Sequence, residues 1–207
     1  MVSLAAALCR LVAFCLALAG AIVPAIAEEI RDWPCAQPLT ERLDPEAVWG
    51  GPLPATLTEG WRDDAAVAEV VAFAANPENP PSQGGRRIAG FADGLGQDRQ
   101  DRLMLVFTGL LEKFDLQRGF VIGGVRDFVL RAKILREAID RNETAAAALP
   151  TDGDAELEEQ RKGYLEARFW DARNLGDALD EAEFLCHRYE YLEEKLRRLT
   201  EVIRSAL

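Results

Sequence analysis

The chain has 207 residues, 35 acidic against 24 basic side chains, and a formal net charge of −11 at pH 7. A surface this acidic is repelled by phosphate backbones and by anionic lipid, so nucleic acid is excluded as an expected partner. A single histidine and four cysteines leave little material for triad hydrolysis or multi-thiol chemistry.

Arg10 is the only charge before Glu28, and LVAFCLALAGAIV is a run of thirteen apolar or small residues. Pro24 follows, and then Ala25-Ile26-Ala27, the small-x-small pattern that signal peptidase reads. The spacing predicts a secretory signal peptide over 1–27, removed after Ala27. The competing reading is an uncleaved anchor, since Ala5 to Ala27 could nearly span a bilayer. A lipid anchor at Cys15 fits poorly, because bulky Phe14 sits where a small residue is needed. Without the leader the chain keeps 180 residues and a charge of −12, the size of one domain. Arginine outnumbers lysine 20 to 4 in an alanine-rich chain, usage that fits a GC-rich bacterial genome. The expected location is therefore the bacterial periplasm or beyond, with no stable membrane insertion after cleavage.

Residues 28–60 hold Pro34, Pro38, Pro45, Pro52 and Pro54, together with Gly50, Gly51 and Gly60. That density forbids a long helix and predicts an extended arm. One short turn is expected at LDPEAVW, where Asp44 caps and Pro45 takes the first helical position. Trp33, Leu39, Leu43, Val48, Trp49 and Leu53 need a surface to cover, so the arm should lie across helices. A helix is predicted from about Asp63 to Ala75, with Ala66, Val67, Val70, Val71 and Ala74 as its apolar stripe and Pro77 as its stop. NPENPPSQGG reads as a loop, and RRIAGFADGLG as a short helix weakened by glycine.

The last hundred residues carry the clearest pattern. Leu103, Phe107, Leu110, Phe114, Val121, Val125, Phe128, Ala132, Leu135 and Ile139 recur in steps of three, four and one seven. After the break LPTDGDAE, with Asp154 as a cap, a second run passes through Leu165, Phe169, Ala172, Leu175, Leu179, Ala182, Cys186, Tyr189, Leu192, Leu196, Leu199 and Ile203. Two seams of this kind joined by a few turn residues predict an antiparallel, coiled-coil-like hairpin over about 98–149 and 154–206. Leu111, Ile122, Val129 and Ile134 on the first helix, and Trp170, Phe184 and Leu185 on the second, lie off the seam. The arm and the 63–75 helix are the available covers. The expected fold is all-α: an elongated antiparallel helical hairpin, one or two shorter helices, an extended arm over 28–60, and a bundle domain over 61–207.

Cys9 and Cys15 fall in the leader, leaving Cys35 on the arm and Cys186 on the second seam. Two cysteines in an oxidising compartment predict a disulfide, here a structural staple between the arm and the last helix. A redox pair is the sharper alternative, but there is no Cys-x-x-Cys and no strand–helix alternation. His187 shares a helix face with Glu183 and Glu190, the one weak candidate for a metal site; di-iron bundles need Glu-x-x-His on two helices, so an exposed ion pair is expected. GFADGLGQDR lacks the third glycine and a preceding strand, so it is a connector and not a nucleotide loop. Neither Ser82 nor Ser205 sits in Gly-x-Ser-x-Gly. Asn142-Glu143-Thr144 matches a glycosylation sequon, but within a helix.

RGFVIGGVRDF, residues 118–128, is the stretch singled out for function. Gly119 and Gly123 clear a smooth patch flanked by Arg118 and Arg126, either for close helix packing or as a groove for a partner helix or an apolar ligand. Arg118, a charge interrupting the seam, is the feature that packing does not predict. No catalytic set and no cofactor emerge. The expected function is a secreted or periplasmic helical interaction or accessory protein with a periplasmic protein partner. The alternatives are a binding protein for a small apolar or metal ligand, and a thiol–disulfide exchange protein.

Overall fold

The computed structural model describes residues 31–55, 57, 59–151 and 154–207, so the expected leader and its cleavage site lie outside the described residues. Among the described residues five helices follow in order: α1 Pro45–Trp49, α2 Ala65–Ala75, α3 Pro81–Asp93, α4 Arg99–Ala148 and α5 Ala155–Ala206. No strand occurs among the described residues. The fold is all-α, as the spacing predicted, and the two long helices start and stop within a residue of their expected ends.

Local chemistry sets most boundaries. Asp44 accepts from the Glu46 N–H with Pro45 at the first helical position, and Gly50 closes α1 at φ 82°, a left-handed conformation that suits glycine. Asp64, not Asp63, caps α2 by accepting from the Ala66 and Val67 N–H groups. Asp154 accepts from Leu157 N–H and starts α5. The helix α3 departs from expectation, since it begins at Pro81 inside the segment read as a loop. Pro81 suits the first turn, and Gly84 and Gly85 are buried. A Cβ at Gly84 would lie 2.9 Å from Leu199 Cδ2 and 3.3 Å from Ala74 Cα, so close packing against α2 and α5 offsets the weak helix propensity of glycine.

The 50 residues of α4 extend about 75 Å and pack antiparallel along α5. At one end α2 rests on α3 and α4, α3 on α5, and α1 on α5. This end holds the main core, with Trp49, Trp61, Val71, Ile88, Phe107, Phe114, Tyr189 and Leu199 among its members. The Trp49 and Phe107 rings meet edge to face at 4.9 Å. Toward the tip only two helices remain, and a small cluster of Ala132, Ile139, Leu175 and Ala178 joins them. The expected covers therefore reach Leu111, Ile122 and Val129, which are buried, but not Ile134, Trp170 or Phe184, which are exposed.

The first seam is inward throughout, with Phe128 and Leu135 half-buried and the others buried. The second seam differs from prediction at the tip. Leu165, Phe169, Ala172 and Leu179 face solvent, while Leu175, Ala178, Ala182 and Tyr189 onward face α4. Polar pairing decides that rotation. Asn142 donates to Asp171 at 3.0 Å, Arg168 pairs with Glu143 at 3.3 Å, and Arg161 caps the end of α4 by donating to the Leu149 and Pro150 carbonyls.

Candidate interaction surface

The arm is held at several points. Cys35 and Cys186 are joined by a disulfide, with their Cα atoms 5.1 Å apart and a sequence separation of 151. Beside it the Trp33 ring meets Tyr189 edge-on at 5.4 Å, while Trp33 Nε1 donates to the Gln37 carbonyl. Asp32 pairs with Lys133, Glu41 with Arg126, and the Leu43 N–H donates to Asp115. The structure thus joins Cys35 of the arm to the last helix, the pairing the cysteine count predicted.

Arg118 corrects the groove reading. It is fully buried and points under the arm, so it does not flank an open patch with Arg126. Its Nη2 lies 2.6 Å from Thr40 Oγ1 and from the Tyr189 hydroxyl, and 3.0 Å from the Thr40 carbonyl and from Glu193. Asp115 stands 3.6 Å from Nη1, and the guanidinium lies 4.9 Å above the Tyr189 ring. The charge that broke the first seam is the clasp for the arm. Gly119 and Gly123 do lie open, since a Cβ at either position would meet nothing within 4 Å. Gly124 behaves differently: its Cβ would lie 2.7 Å from Leu185, a close helix–helix contact.

A second buried charge closes the core. Lys195 donates to the Asn76 and Asn79 carbonyls at 2.6 and 2.7 Å, tying the end of α2 to α5. Burial, and then the positive charge of Arg188, push its ammonium down to about 8.

His187 sits at 3.9 Å from Glu183 and 4.0 Å from Glu190, with all three side chains more than half exposed. These are solvated side-chain contacts along one helix face. No group of three His, Cys, Asp or Glu side chains among the described residues is placed to hold a metal ion. His187 and Glu190 instead border a groove of about 820 Å³ between the arm, α1 and α5, floored by Leu43, Val48, Tyr191 and Leu196. Its walls carry acids and bases of both signs, including Arg42, Asp44, Glu194 and Arg197. Arg197 and Arg198 donate to Glu194 and hold its carboxyl down to about 2.

The sequence reading missed the most extensive feature, which lies on the hairpin. Leu165, Phe169, Trp170, Leu179 and Phe184 of α5 are 46, 59, 49, 40 and 64% exposed. The Phe169 and Trp170 rings touch edge to face at 5.3 Å. On α4, Leu116, Phe120, Leu130 and Ile134 are likewise open. Monomeric proteins expose single apolar side chains freely, but nine large ones along two adjoining helices are more than that allowance explains. Part of the signal was present in Trp170, Phe184 and Ile134, which lie off the seams. Among the described residues no helix is long and apolar enough to cross a membrane. No family model, no curated protein and no solved structure matches this chain.

Proposed function

We propose that this is a periplasmic or secreted helical interaction protein, in which a disulfide-stapled bundle holds out a two-helix projection that docks a protein partner. The observation that carries this reading is the set Leu165, Phe169, Trp170, Leu179 and Phe184, large side chains 40–64% exposed on one helix of the projection. Aromatic residues concentrated on a rigid element are the usual anchors of protein contacts. The leader-like residues 1–27 and the Cys35–Cys186 disulfide support export.

A photoreactive amino acid in place of Trp170, irradiated in intact cells, tests this. One discrete adduct that disappears in Phe169→Ser, with no equivalent adduct from Glu201 at the bundle end, is the expected result. Equal labelling at both positions, or none at Trp170, sinks the docking role. Amino-terminal sequencing of the same material should begin at Glu28.

The arm groove supports a second reading, a small partly apolar ligand seated on Leu43, Val48 and Leu196. A non-covalent adduct that persists in native mass spectrometry of protein from its own host is its signature.

A further inference from the structure

We infer that the open face of α4 pairs with the same face of a second copy of this chain, the two helices running antiparallel. This goes beyond the proposed function, which places a different protein on α5.

Leu116, Phe120, Leu130 and Ile134 are 58, 74, 58 and 54% exposed. With Gly123 and Asp127 they recur at steps of 4, 3, 4, 3 and 4, a second helical seam on α4 that no element among the described residues covers. The arm runs along another side, where it meets Lys133, Arg126 and Asp115. The fifth helix contacts α4 elsewhere too, through Gly124 and the buried seam.

Charge selects the occupant. Four basic residues fall between 116 and 134, against one acid. Three of them already have acidic partners: Arg118 with Glu193, Arg126 with Glu41 and Lys133 with Asp32. The open face is left with Asp127 and Arg131, one charge of each sign. On a chain of net charge −11, this is a surface where two copies meet without acid facing acid.

The spacing also maps onto itself when reversed about Val125. Leu116 then meets Ile134, Phe120 meets Leu130 and Asp127 meets Gly123. A parallel pairing in register would instead set Asp127 on Asp127. Reversal removes that like-charge contact and lays Asp127 beside a glycine whose Cβ position is empty to 4 Å, while Arg131 stays at the flank of the seam. Trp61 and Arg62 stand over Gly109 and Glu112, so the helices cross obliquely at the glycines and do not run side by side to their ends.

Sedimentation of the oxidised mature protein, from low micromolar to about 100 μM, reads the outcome. The expected result is a reversible dimer. Phe120→Ser with Leu130→Ser, both at exposed positions, should weaken it at least tenfold. Gly123→Leu should do the same, since a Cβ there meets nothing within 4 Å in the monomer and the added side chain fills the place of the opposing Asp127. Thermal unfolding, compared at a concentration where every protein is monomeric, should show no loss of stability in either variant, and a small rise in Gly123→Leu because leucine favours the helix more than glycine does. A monomer at every concentration overturns the inference, as does a dimer that either variant leaves intact. A dimer lost through Phe169→Ser, with Phe120→Ser and Leu130→Ser silent, would assign self-association to α5 and also overturn it.

Discussion

Opening the Cys35–Cys186 bond tests the stapled-arm account most directly. The bond closes a loop with a sequence separation of 151. In the chain-entropy model, a cross-link over that loop removes about 17 cal/mol/K from the unfolded ensemble, or about 5 kcal/mol at 25 °C. Unfolding a domain of this length carries about 370 cal/mol/K near its midpoint, so the loss corresponds to about 13 °C in Tm. The arm keeps its non-covalent ties when the bond opens, through Arg118, Trp33 and the Asp32, Glu41 and Leu43 contacts. The native fold should therefore persist in Cys35→Ser with Cys186→Ser, its far-ultraviolet circular dichroism unchanged. Urea titration of that variant and of the oxidised protein is the assay. A destabilisation of about 3–5 kcal/mol is expected, accompanied by a larger m-value, because the unlinked chain unfolds to a more expanded state. A difference below about 1 kcal/mol with identical m-values would refute the staple and leave the bond without a stabilising role.

Three further outcomes follow from the packing. Arg118→Ala should cost about 2–3 kcal/mol, because it leaves Glu193 and the Thr40 carbonyl without their donor and takes the nearby positive charge from Asp115; Arg118→Lys should recover less than half, since an ammonium cannot match the guanidinium fork, and urea titration measures both. Gly109→Ala should lose about 1–3 kcal/mol, because its Cβ would lie 2.7 Å from Val71 and 2.9 Å from Trp61, whereas Gly176→Ala, with open space around it, should gain about 0.5–1 kcal/mol. Lys195 titrates at about 8 in the fold against 10.5 unfolded, so between those values the unfolded chain holds more of this proton and stability rises with pH. Relative to Lys195→Met, the parent protein should gain up to about 3 kcal/mol from pH 7.5 to 10.5, read from denaturation midpoints at each pH; a parallel response in the two proteins would show that Lys195 carries no such penalty.

The exposed apolar projection was only half visible beforehand. Trp170, Phe184 and Ile134 already stood off the seams, as side chains in need of a cover. Leu165 and Phe169 had been counted as core, because their steps of three and four continue the run from Leu175. Spacing shows that a helix has an apolar stripe; it does not show whether another helix is there to meet it. Near the tip none is, and Asn142–Asp171 and Arg168–Glu143 link the two helices through polar side chains instead.

The amino-acid sequence by itself determined every described helix except α3, and the staple. Their ends follow from Asp44, Asp64 and Asp154 as caps and from proline at first turns, and these act over three or four residues. The staple follows from composition, since only two cysteines remain beyond the leader-like segment. Tertiary structure alone decided what depends on distant partners. Arg118 became a buried clasp because Thr40 and Glu193, 78 and 75 residues away, supply its acceptors. Gly84 and Gly85 became helical because α2 and α5 approach too closely for a larger side chain. Propensity is local and can be read along the chain; burial is a property of the neighbours, and those are set only when the helices meet.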